Sequence, residues 1–222
     1  MTRGLAEPDP TDGTDDPARA VELLERALGY TRVVLADVAQ PMLGRPTPCA
    51  GWTLGELLRH MEDALDAFAE AAAGRVGSPR APVPEHRTAA DRVAALQHGA
   101  CRLLGAWSAL PAAAARVEIG DRVLPGPRLV GLAALEITVH GWDVGRATGR
   151  CPRIPAPLAA ELLVPARRLV RPEDRGLLFA RPRPTPAGAA YDDRLLGFLG
   201  RDLTGPRGAD SGERDSPPGV AS

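Results

Sequence analysis

The stretch Arg128–Thr148 constrains this chain most. Read as a helix, it sets Glu136 and His140 one turn apart on a single face, with Asp143 three residues further along the same side. Leu132, Leu135 and Val139 lie beside them. The carboxylate and the imidazole therefore fall on or next to an apolar stripe that must face a core. Burying both without partners is costly. A divalent metal with one further ligand removes that cost. His60 is the best candidate, because it lies three residues after Leu57 and four before Ala64, on the inner side of its own helix. The expected centre is a divalent metal, preferably zinc, held by His60, Glu136 and His140. Three protein ligands would leave a position open for water or substrate, and facing helices of a bundle can project such ligands to one point. The plainer reading of Glu-x-x-x-His on a helix is a solvated pair. The apolar neighbours and the inward His60 favour the metal.

What the chain lacks narrows the chemistry. It contains no lysine and no asparagine, and every basic residue besides histidine is arginine. This excludes Schiff-base catalysis, a lysine-anchored pyridoxal phosphate and a P-loop. Neither a strand followed by Gly-x-Gly-x-x-Gly nor a Gly-x-Ser-x-Gly turn is present. A net charge of −1 offers no attraction to nucleic acid or to a membrane surface. No apolar run reaches the roughly 18–20 residues of a membrane span. The first residues carry Asp and Pro where a secretory leader has an apolar core, so a cytoplasmic protein is expected. Cys49, Cys101 and Cys151 are odd in number and widely spaced, and suggest neither a disulfide framework nor a zinc ribbon.

The pattern along the chain is all-α. Residues 1–16 and 204–222 are rich in Pro, Gly and charge and read as disordered segments. A first helix is expected over Ala18–Ala39, stopped by Pro41. Thr53-x-x-Glu56 is a capping box opening a second helix, closed by Gly74 and Gly77, and a Pro-rich loop runs from Ser78 to Arg87. Thr88-x-x-Asp91 opens a third helix to about Leu110. Loose alternation over Ala115–Val123, around Gly120-Asp121, suggests a short hairpin before the fourth helix, Arg128–Thr148, which Gly149 ends. These elements make a four-helix bundle over residues 17–150. Residues 151–203 read as a small extension packed on it: a helix over Leu158–Val170 interrupted or kinked at Pro165, an extended Arg181–Pro186 and a short helix Asp192–Leu199.

Other residues near the centre have two readings each. Asp143 is a fourth ligand or the partner that fixes an imidazole tautomer; otherwise it pairs with Arg146 or Arg150. Trp52 and Trp142 read as packing around the site. Cys49 precedes a helix N-terminus, where a thiolate is favoured, but a small buried residue in a tight loop explains it as well. His86 and His98 read as surface histidines.

Two segments, Pro48-Cys49-Ala50-Gly51-Trp52-Thr53-Leu54-x-Glu56-Leu57-Leu58-x-His60 and Glu136-x-x-Val139-His140-Gly141-Trp142-Asp143-Val144-x-Arg146-Ala147-Thr148-Gly149, resemble the DinB-like superfamily, in its actinobacterial branch near the mycothiol-dependent maleylpyruvate isomerases. Leu195-Leu196-Gly197-Phe198-Leu199-Gly200-Arg201-Asp202 resembles the C-terminal signature of that branch. The resemblance implies a four-helix bundle whose divalent metal is held by a histidine of the second helix and a Glu-x-x-x-His pair of the fourth, here His60, Glu136 and His140. It also implies a low-molecular-weight thiol such as mycothiol, bound to the metal as thiolate. Where many relatives have small or apolar residues after the helix-two histidine, this chain has Glu62 and Asp63, at a pocket mouth or simply solvated.

The expected function is thus a thiol transferase or isomerase acting on a small molecule, with Asp143 orienting a ligand or moving a proton and Arg128 or Arg146 gripping a carboxylate. The rivals are a thiol-independent metal-dependent hydrolase, lyase or cyclase, and a non-catalytic module with a structural metal. A monomer or homodimer is expected.

Overall fold

The computed structural model describes residues 16–49, 51–74, 87–109, 116–119, 122–150, 153–176 and 179–203. Residues 1–15 and 204–222 of the segments expected to be disordered, most of the Pro-rich loop with His86, the Gly120-Asp121 turn and Cys151 lie outside the described residues.

Helix α1 spans Pro17–Leu35. Asp16 caps it by accepting from the Ala18 N–H at 3.0 Å, and Pro17 occupies the first turn, where its missing N–H costs nothing. The helix ends four residues before the expected Ala39. Pro41 does not stop α1 but sits in the first turn of a new 3-10 turn, Gln40–Met42, which follows an extended Ala39. Helices α2 (Leu54–Ala71) and α3 (Ala89–Ser108) begin at the two capping boxes foreseen, Thr53 with Glu56 and Thr88 with Asp91. Strands β1 (Arg116–Ile119) and β2 (Arg122–Pro125) pair antiparallel, with Val117 opposite Leu124. The second strand runs further than expected, to Pro125, and passes directly into α4 (Gly126–Thr148). Gly149, at φ 87°, closes α4 in the left-handed conformation.

Helices α1 to α4 form a bundle in which α4 packs on α1 and α2, and α3 packs on α2 and α1. Helix α4 is buried nearly all round, as a central helix must be. Its close approach to α1 depends on Gly141: a Cβ there would stand 2.5 Å from the Thr31 hydroxyl, which donates to the Ile137 carbonyl at 2.9 Å. On α3, Arg92 is buried rather than solvated, because Glu62 of α2 meets it.

Helix α5 (Ala156–Leu169) packs on α4 and α1 and pairs with α6 (Tyr191–Phe198). It runs through Pro165 without interruption. That ring is buried against Gly131 of α4. Arg153 grips the buried Asp192 at 2.9 and 2.8 Å, tying α6 to the segment before α5. Among the described residues, no helix is long and apolar enough to cross a membrane.

Candidate metal centre

Helices α2 and α4 bring His60, Glu136 and His140 together. Their candidate ligand atoms all lie within 4.8 Å of one another. His60 Nε2 stands 2.9 Å from Glu136 Oε1, and His140 Nε2 stands 3.0 Å from the same oxygen. The two imidazole rings meet edge to face, with centroids 5.0 Å apart. Trp52 lies against His60 at 4.8 Å between centroids. It packs at the site as expected, but as a half-open cover, 37% exposed. The His60 side chain is 36% exposed, so this face of the centre is open to solvent.

One carboxylate oxygen with two imidazole nitrogens aimed at it fits a divalent cation. The donor set is one carboxylate and two imidazole nitrogens, and among the described residues its hydrogen-bond partners include no arginine. Burial pushes the Glu136 carboxyl up, but the charges and hydrogen bonds of His140 and His60 outweigh it and hold the group below the usual carboxylate range. Burial lowers His140, but the charge of Glu136, together with the hydrogen bonds His140 makes with Asp143 and Cys49, raises it well above the ordinary imidazole value.

The other nitrogen of His140 faces a closed cluster. Nδ1 lies 3.0 Å from Asp143 Oδ2. Asp143 is fully buried and takes both prongs of Arg201, Nε at 3.0 Å and Nη2 at 2.8 Å. Burial pushes the Asp143 carboxyl up, and His140 and Arg201 more than offset it, leaving the group below its usual range. Cys49 Sγ donates to Asp143 Oδ2 at 3.2 Å and lies 3.7 Å from His140 Nδ1. Cys49 is therefore a member of the cluster and not only a small residue in a tight loop. That loop is pinned to the helices: the Leu54 N–H donates to the Arg45 carbonyl at 2.8 Å, and Arg45 Nη1 reaches the Ala147 and Thr148 carbonyls at the end of α4.

Arg201 is the residue the sequence reading missed. Gly200 aims it: at φ 79° this residue turns the chain, and a Cβ there would stand 2.7 Å from both Ala180 Cβ and the Arg181 carbonyl. The arginines expected to pair with Asp143 are engaged elsewhere. Arg146 lies over the Trp142 ring at 5.5 Å, and Arg150 pairs with Asp37 at 2.9 Å. Trp142 itself is buried, two residues from His140 and so about 200° round the helix from it, away from the site. Glu62 is neither at a pocket mouth nor solvated. It is clamped by Arg87 at 3.1 Å and Arg92 at 3.4 Å, and burial pushes its carboxyl up despite both arginines. His98 is exposed, as expected.

An all-α bundle that presents two imidazoles and a carboxylate from facing helices defines a DinB-like protein. The family model described as the mycothiol maleylpyruvate isomerase N-terminal domain matches residues 24–145, and the chain belongs to that family. The match includes Cys49, His60, Glu136, His140 and Asp143; Arg201 lies beyond it. Two uncharacterized proteins of Mycobacterium tuberculosis, from strains CDC 1551 / Oshkosh and ATCC 25618 / H37Rv, are each 33% identical over 184 residues, covering 81% of this chain and 96% of theirs. The crystal structure of the mycothiol-dependent maleylpyruvate isomerase is similar at 19% identity and a TM-score of 0.44, over 58% of this chain and 60% of that one. This chain therefore spans less than two thirds of that protein.

Proposed function

We propose that this protein is a thiol-dependent transferase or isomerase with a divalent-metal centre at His60, Glu136 and His140. The convergence of both Nε2 atoms on one Glu136 oxygen carries the reading. A zinc ion held there would lower the pKa of a low-molecular-weight thiol, mycothiol for this family, enough to supply a thiolate at neutral pH. The chain's own residues set the conditions. Asp143 accepts from His140 Nδ1–H, which fixes the tautomer that leaves Nε2 to face the ion. Arg201 and Cys49 hold Asp143 in place. Asp143 is buried behind His140, which favours positioning over proton transfer. The open face beside Trp52 and His60 gives a polar thiol its approach.

The test is thiol consumption by the zinc-loaded full chain, with mycothiol and a panel of electrophiles. The expected result is turnover that requires the thiol and disappears in His60→Ala. Turnover that continues without thiol would replace this reading with hydrolase, lyase or cyclase chemistry at the same centre. No thiol binding and no turnover with any electrophile would leave a non-catalytic module.

A further inference from the structure

Behind the ligand set lies a cavity of about 360 Å³ between α1, α2, α3 and α4. That is within the range of small-molecule pockets, roughly 300–1,000 Å³. Its wall is apolar: Leu28 and Leu35 come from α1, Leu65 from α2, Leu96 and Leu104 from α3 and Ile137 from α4. Glu136 and His140 complete it on the side of the candidate centre. Small side chains make the space, since Ala64 and Ala100 line it where larger residues would fill it. Exposed residues mark the mouth, Gly29 and Arg32 on α1 and Gln97 and Cys101 on α3.

The two faces of the centre are therefore unlike. One, beside Trp52 and His60, is open to solvent; the other meets an apolar chamber. A dicarboxylate entering that chamber would shed its hydration against leucines before it reached the centre. Arg32 is the only arginine among the lining residues, and it stands at the solvent end. An uncharged chain or ring would lose only unfavourable contact with water.

We propose that the cavity binds the apolar chain or ring of an uncharged electrophile and holds its reactive end against Glu136 and His140. This names the substrate class for the thiol-transfer reading above and rests on that reading. The binding step itself requires neither metal nor thiol, and this separates the two tests.

The experiment is calorimetric titration of the full metal-free chain, without thiol, with 1-hexanol, 1-octanol and maleate. One-site binding of both alcohols is expected, tighter by about three- to fourfold per added methylene and so roughly tenfold between the two. Maleate should not compete. Gly29→Leu closes the mouth without disturbing the helix, because a Cβ at Gly29 meets nothing within 4 Å. It should weaken octanol binding at least tenfold. Gly105→Leu, with equal space on α3 and outside the cavity, should leave binding unchanged. The proposal is overturned if octanol does not bind, if affinity ignores chain length, if Gly29→Leu binds as tightly as the wild type, or if maleate displaces octanol. Intact octanol binding with no thiol consumption would instead defeat the thiol-transfer reading while the pocket stands.

Discussion

On the Nε2 side of His140 stand Glu136 and His60, partly open to solvent; on the Nδ1 side stand Asp143, Arg201 and Cys49, with Asp143 wholly buried. Both sides are built on a carboxylate, but they differ in what neutralises it. Asp143 has a permanent cation on both of its oxygens. Among the described residues, the hydrogen-bond partners of Glu136 are the imidazoles of His60 and His140. The first arrangement is complete without any ligand. The second is where we propose that a cation binds. One histidine thus joins a closed cluster to the open, candidate ion site.

Arg201→Ala should be the most damaging way to break this contrast. It leaves Asp143 charged, buried and without its cation, and should cost about 3–5 kcal/mol in urea denaturation of the metal-free chain. Glu136→Gln, on the open side, should cost about 1 kcal/mol in the same assay. Equal losses from the two variants would erase the distinction between the sides. Asp143→Asn sharpens it. It keeps the shape of the side chain but weakens the hold on His140, and should lower zinc affinity by about 10–100-fold with the stoichiometry retained, as read by competition with a chromophoric chelator.

The next effect lies on the seam that sets α4 against α1. Gly141→Ala should destabilise the chain by about 1–3 kcal/mol, because its Cβ would crowd the Thr31 side chain. Adding Thr31→Ala should recover part of the loss. An undiminished loss in the double variant would show that the seam is not where the strain arises. The smallest effect is expected at Arg26, whose pair with Glu161 lies at the surface. Arg26→Ala should cost less than about 1 kcal/mol and matter less still at high salt.

The open side of His140 could be read from the sequence, and the closed side only in part: the spacing offers Asp143 as a partner that fixes the imidazole, but not Arg201. His60, Glu136 and His140 each stand in a helix whose period is plain, so facing and inward direction follow from spacing alone. The capping boxes at Thr53 and Thr88 likewise need only local hydrogen bonds, and they form as expected. Arg201 comes to Asp143 from 58 residues away, through a glycine turn, and no periodicity announces such a contact. Its one signal was its place in the Leu195–Asp202 signature. Arg146, one of the two nearby arginines offered as an alternative partner, lies over the Trp142 ring instead. Helix α1 was read too long because Pro41 could either end one helix or begin another turn, and the pattern alone does not choose between them. The cavity also escaped the sequence reading, since the apolar stripes are the same whether or not the helices close over them.

The measurement that tests the central claim most directly is a zinc titration of the full chain beside His60→Ala and Glu136→Gln, with folding of each confirmed by circular dichroism. One equivalent bound by the wild type, and binding at least a hundredfold weaker in both folded variants, is the predicted result. No zinc bound by the wild type, or equal binding by all three, would contradict it. His60, Glu136 and His140 would then be an ordinary hydrogen-bonded cluster at the edge of the bundle.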